Sequence, residues 1–177
     1  MGHDADSVRA ELAAAFARRE RPSDDRIALS RPDCPGYEGD EAREWLRGKN
    51  WQDLLAEGIG VEHRDHVHFL LPEGWLYFFP AFAIIGLDIR HPAEMDETLL
   101  VLLGAFPDEM AAQLSRRERR AILHFLEYLS EAYERRGDLV NAAQRTLDSY
   151  WNRFVDEEPA GGDAPATAHQ ENGDVLS

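Results

Sequence analysis

Within seven consecutive residues, Glu62-His63-Arg64-Asp65-His66-Val67-His68, the chain places three of its seven histidines. Imidazoles three and two apart, with a carboxylate between them, offer the nitrogen and oxygen donors that zinc or another divalent ion takes. His63, Asp65, His66 and His68 are therefore the candidate metal ligands. Their spacing matches no standard site: a helix sets His63 and His66 on one side and swings His68 away, whereas a strand pairs His66 with His68. The plainer expectation is a polar lead-in to the apolar segment that follows, with His66 or His68 half-buried and no cofactor. Glu73 and Tyr77, four residues apart, form a second candidate, a carboxylate and a phenol on one helical face. Buried among aromatics, Glu73 would titrate at higher pH and become a general acid; its simpler role is to complete a helix start and pair with an arginine.

Arg116, Arg117, Arg119 and Arg120 gather at a predicted helix start, where the helix dipole disfavours cations. Such a local conflict marks a possible partner-binding surface, against the default of a solvated face with ion pairs. Ser115 with His124 is no nucleophile arrangement, because no Gly-x-Ser-x-Gly elbow surrounds the serine. Glycine loops that cradle phosphate are absent too. Cys34, between Asp33 and Pro35, has nothing beside it to lower its pKa and reads as an ordinary thiol.

The element that must position these groups is the run from Phe69 to Leu87, in which Glu73 is the only charged residue. Each large side chain left in water there would forfeit about 1.5–3 kcal/mol, so the run has to be covered. Pro72 suits a first helical turn and Glu73 the positive end of the helix dipole, which starts a helix near residue 72. Pro80 should kink it, or break it and let it restart. Gly74 and Gly86 would let another backbone come close. A membrane span is disfavoured: the run is at the lower limit of spanning length and is interrupted by Glu73, two prolines and two glycines, without a Lys/Arg-rich flank.

Around this centre the spacing predicts further helices. Val8, Leu12 and Phe16 mark one over 7–19, capped by Asp6 or Ser7. Residues 20–39 read as an extended connector wrapped on the body through Ile27, Leu29 and Tyr37. Asp40 caps a short helix to Arg47 with Trp45 and Leu46 inward, and Asn50 caps another from Trp51 to about Glu57, stopped by Gly58 and Gly60. A helix near 93–103 carries Met95, Leu99, Leu102 and Leu103 on one face, and residues 108–114 add a short turn. Ser115 and Glu118 make a capping box for a helix over 116–136 that buries Ile122, Phe125, Leu126 and Leu129 and stops at Gly137. A last helix, 138–155, puts Val140, Gln144, Leu147, Trp151 and Phe154 or Val155 on one stripe. No run alternates long enough to require a sheet. The expectation is all-α: a compact single-domain helical bundle over 1–155 around a Pro-kinked apolar helix at 72–87, followed by a disordered acidic tail at 156–177.

The stretch Leu71 to Phe82, Leu-Pro-Glu-Gly-Trp-Leu-Tyr-Phe-Phe-Pro-Ala-Phe, follows Asp-Glu-Ala-Arg-Glu at 40–44 and Trp-Gln-Asp-Leu at 51–54. It resembles an uncharacterised bacterial family, a domain of unknown function, whose pattern is similar to Leu-x-Pro-Glu-Ala-Phe-x-Tyr-Tyr-Leu-Pro-Ala-Phe. Here Gly74 stands for the usual Ala, Trp75 for the usual Phe, and Phe78 or Phe79 where Tyr is common. The resemblance covers residues 38–130 and implies a shared fold, with no activity attached.

With 177 residues there is room for one domain with a real core. Thirty-four acidic residues face 19 basic ones, a net charge of −15; without the six acids of the tail the balance is 28 against 19, or −9. Such a charge opposes binding to nucleic acid, which needs cations on phosphates, and docking on an anionic membrane. It suits steering toward a basic protein. The single Cys34 excludes an internal disulfide, and the acids near the start leave no apolar export signal, so the chain reads as cytoplasmic. The expected function is a non-enzymatic protein-binding module, an adaptor or an inhibitor of immunity type that masks a basic partner such as a nuclease toxin. The alternatives are a metal-dependent hydrolase using His63, His66 and His68 with Glu73, and a subunit of a larger assembly that buries Trp45, Trp51 or Trp151 against a neighbour.

Overall fold

Pro72 lacks an N–H that a first-turn residue would leave unpaired, and the helix it opens runs unbroken to Gly86. In this computed structural model the described residues are 3–31, 33–34, 36–138 and 141–155. The expectations for Val140 and for the 156–177 tail fall outside them. In chain order the helices are α1 (Ala5–Phe16), α2 (Glu38–Leu46), α3 (Trp51–Glu57), α4 (Pro72–Gly86), α5 (Met95–Gly104), α6 (Asp108–Ala111), α7 (Arg116–Arg136) and α8 (Ala142–Ser149). Turns of 3-10 helix lie at Asp24–Arg26, Val61–Phe69 and Trp151–Phe154. Among the described residues there is no strand, only an antiparallel bridge between Ala28 and Leu70.

Helix α4 is buried on all sides from Gly74 to Ile84 and packs against α1, α3 and α5. A helix apolar all round belongs in the middle of a bundle. Its Phe79 meets Phe16 of α1 at 5.4 Å between ring centroids, Trp75 at 4.9 Å and, edge-on, Phe125 of α7 at 6.3 Å. Pro80 sits inside the helix. It removes one backbone hydrogen bond, yet the helix passes through it as one element and does not restart. The described core is a single cluster of side chains from Val8 to Trp151.

The expected connector is a strap. Leu29 N–H donates to the Phe69 carbonyl at 2.8 Å and Leu71 N–H to the Ile27 carbonyl at 2.9 Å, tying residues 27–29 across the entry to α4. Ile27 is fully buried and Tyr37 stands edge-on to Phe69, whereas Leu29 is 44% exposed and does not join the core. At Gly74 the Ile27 carbonyl occupies the place of a side chain, so the absence of a Cβ is what lets the strap lie down.

Several boundaries differ from the sequence reading, and α1 ends at Phe16 where a helix to 19 was expected. Asp4, and neither Asp6 nor Ser7, caps α1 by accepting from Ser7 N–H at 2.9 Å. Asp40 lies inside α2, which begins at Glu38, and accepts from the Ser30 hydroxyl and Arg31 N–H, holding the strap. The last helix starts at Ala142 behind the Asn141 cap and stops at Ser149; Tyr150 leaves helical geometry at φ −142°, ψ −53°, and Trp151–Phe154 is 3-10. That break turns Trp151 fully inward, with its indole N–H donating to the Leu103 carbonyl at 3.0 Å. By contrast, the Ser115–Glu118 capping box and the Gly137 stop at φ 81° frame α7 as expected.

The tyrosines give the fold a predictable alkaline limit. Burial, then the bond to buried Asp96, pushes the Tyr133 phenol far up; burial, then Asp108, pushes Tyr150 up to about 12; burial raises Tyr77. Raised folded pKa values mean that above the unfolded value of about 10 the unfolded chain has released protons that the folded chain keeps, so stability falls as pH rises. Lys49 is the only lysine, which leaves tyrosine as the main group titrating there. Urea midpoints should therefore decline from pH 10 toward 12, and Tyr150→Phe should flatten part of that decline; a midpoint flat over this window would contradict the assignment.

Candidate functional site

The 61–69 turn decides what the histidines do. In a 3-10 helix side chains three apart eclipse, so His63 and His66 come together, Nδ1 to Nδ1 at 3.3 Å, while Asp65 and His68 are exposed. One imidazole donates and the other accepts. Burial, then the neighbouring His66, holds His63 below its ordinary pKa. His66 is buried, and its Nε2 lies 3.8 Å from Glu41 of α2. Trp45, also on α2, stacks flat on His63 at 4.4 Å and 14°. Asp65 is paired with Arg64, which also reaches Glu94 at 2.7 Å. The proposed ligands His63, Asp65, His66 and His68 thus supply no converging set of three donors: the two that meet spend their facing nitrogens on each other.

Glu73 and Tyr77 separate in the same way. Glu73 pairs with Arg26 of the strap at the first turn of α4, and the Tyr77 hydroxyl donates to Asn50 Oδ1 at 3.1 Å at the head of α3. Each has a structural partner, and they do not bond each other.

The arginine cluster also divides. Arg119 donates to the Leu114 carbonyl at 2.5 Å and lies over the Phe154 ring at 5.3 Å. Arg120 is 3.8 Å from Glu11. Arg116 and Arg117 line, with Arg18, Arg19 and Arg120, a cleft of about 670 Å³ between α1 and α7. Within it Glu118 accepts from Ser115 N–H and, at 2.6 Å, from Arg19. The cap and this ion pair offset the cations at the helix start. A second groove, about 930 Å³ and lined by Leu100, Val101, Tyr133, Arg136, Arg145 and Thr146 among others, holds none of the candidate catalytic, metal-ligating or partner-binding residues read from the sequence.

What the sequence reading missed is assembled by α1 and α7 lying side by side. His3 stacks on His124 at 4.1 Å and its Nε2 is 3.2 Å from Glu127 Oε2, while His124 Nδ1 is 2.5 Å from Glu11 Oε2. The spacing of His124 and Glu127, one turn apart on α7, was a weak local signal. Nothing in the sequence brings His3 to them.

These observations define an all-α domain with an acid-bordered aromatic face and no assembled catalytic constellation among the groups proposed from its sequence. The chain belongs to a family of unknown function, DUF6714, whose sequence model matches residues 5–155. No curated protein and no solved structure matches it. Among the described residues no helix is long and apolar enough to cross a membrane.

Proposed function

We propose that the protein is a non-enzymatic protein-binding module that receives a basic partner on the face formed by α2 and the 61–69 turn. The observation that supports this reading is the half-buried Trp45 stacked on His63, with Glu62 3.9 Å from His63 and Glu41 3.8 Å from His66. Exposed Glu38, Glu41 and Glu44 recur every three residues along α2; Glu44 is paired with Arg47 and Asp65 with Arg64, so Glu38, Glu41 and Glu62 carry the negative rim. An aromatic anchor inside a charged rim is how protein interfaces concentrate affinity, and a negative rim speeds encounter with a positive partner. An inhibitor of immunity type, covering the cationic site of a nuclease, fits this chemistry.

Trp51, Trp75 and Trp151 are buried in the chain's own core. Trp45 is therefore the tryptophan available to a neighbouring subunit or partner. The hydrolase reading draws no support from the geometry: His63 and His66 face each other, His68 is exposed, and Glu73 pairs with Arg26.

The test is capture of partners at low salt on the immobilised full chain, then titration of the captured protein against variants. Trp45→Ala should weaken binding by about 30-fold, the size of an interface hot spot, and Glu41→Lys should weaken it and reduce its salt dependence. Val101→Ala, on another face, should leave it unchanged. Equal affinity for wild type and Trp45→Ala, or a captured partner that is acidic, would overturn the reading.

A further inference from the structure

We propose that His3, His124 and Glu127 form a divalent-metal site, best suited to zinc, that fastens the start of the chain to α7. Two imidazole nitrogens and a carboxylate oxygen from these residues lie within 4.8 Å of one another. With no sulfur among them, they are donors for a borderline ion such as Zn2+ or Co2+.

A carboxylate stands behind His124. Its Nδ1 is 2.5 Å from Glu11 Oε2. With Nδ1–H donating to that carboxylate, the tautomer is fixed and the lone pair is left on Nε2, the outer-shell arrangement that orients a metal-binding imidazole and raises its basicity. Glu11 comes from α1 and His124 from α7, so packing of the two helices holds this pair in place. Glu127 stands one turn beyond His124 on the same helix, and such neighbours share a face.

His3 completes the set. Its Nε2 already lies 3.2 Å from Glu127 Oε2, and an ion binding between them replaces the hydrogen-bonding proton, which passes to Nδ1 or to solvent. Zinc at about 2.0–2.2 Å from each donor requires donors about 3.4 Å apart, so the site must contract. The two rings are stacked at 25°; a rotation of His3 turns its nitrogen toward the ion. His3 precedes the Asp4 cap and lies outside α1, where no helical turn confines its rotamer. The side chains remain 24–41% exposed, which leaves room for water as a fourth ligand. Two carboxylates with two neutral imidazoles match the charge of a divalent cation, in a chain of net charge −15.

The test is calorimetric titration of the untagged full chain with Zn2+, repeated with Co2+ while its visible absorption is followed, and thermal melts with and without metal. The expected result is one equivalent bound, visible cobalt bands of a four-coordinate site, and a melting temperature that rises with free zinc, since the ion binds the folded chain. Glu127→Gln and His124→Ala should each abolish saturable binding, and Glu11→Gln should weaken it about 10–100-fold, as loss of an outer-shell partner does. His63→Ala should have no effect. Glu127 is on the surface, so its variant serves even where His124→Ala disturbs folding. Absence of saturable binding, binding that survives Glu127→Gln, or binding lost in His63→Ala would each overturn the proposal.

Discussion

Replacing Phe79 by alanine should lower the unfolding free energy by about 4 kcal/mol, within the usual 3–5 for a fully buried phenylalanine. The ring is completely buried and touches Phe16, Trp75 and Phe125, which lie on α1, α4 and α7. The three neighbouring rings are themselves buried in the core, so the lost transfer energy and the cavity both count. Chemical denaturation read by near-ultraviolet circular dichroism provides the measurement. Val101, two-thirds exposed on α5, is the control: its alanine variant should change stability by less than about 0.5 kcal/mol. A Phe79→Ala loss below about 1 kcal/mol would mean that α4 is not the centre of the bundle.

Gly74→Ala should cost about 2 kcal/mol, although alanine is the better helix former. The gain from replacing glycine in a helix is at most about 1 kcal/mol. Against it, the new Cβ would strike the Ile27 carbonyl oxygen and lie 2.8 Å from the Ile27 carbonyl carbon and Cα. Backbone pinned by the Leu71–Ile27 hydrogen bond has little room to withdraw, and overpacking of this kind costs up to about 3 kcal/mol. The strap should therefore lift: amide exchange at Leu29 and Leu71 should accelerate in the variant while exchange within α7 holds. Gly86→Ala is milder, because its Cβ meets Asp96 N at 3.1 Å, a distance that a small shift relieves. A Gly74→Ala protein more stable than wild type would show that the strap is not seated as described.

The contrast between these two sites shows where sequence is informative. Pro72, the Ser115–Glu118 box and Gly137 announce helix ends by chemistry that reaches only three or four residues, and each end falls where that chemistry puts it. The apolar run of α4 announces burial through composition alone. Gly74 could be read as a place of close approach, but not as a place for Ile27, because the 46 intervening residues carry no trace of the pairing. The last helix failed for a related reason: the stripe through Leu147, Trp151 and Phe154 continues past a backbone break at Tyr150, since a 3-10 turn keeps the same residues inward. At the candidate site, the meeting of His63 and His66 with His68 turned away is the helical one of the two arrangements that the spacing left open, and spacing alone did not choose between them. The Trp45 stack on His63 was not legible, and neither was the approach of His3 to α7.

The most direct measurement of the account's main claim is amide and indole chemical-shift mapping of the labelled full chain as the captured basic partner is added. The face of α2 and the 61–69 turn should respond first, with the Trp45 indole and residues 38–46 and 61–69 shifting together while α5 and α8 stay unmoved. Shifts confined to the groove at Leu100, Val101 and Arg145, or to the cleft at Arg18, Arg116 and Arg117, would contradict it.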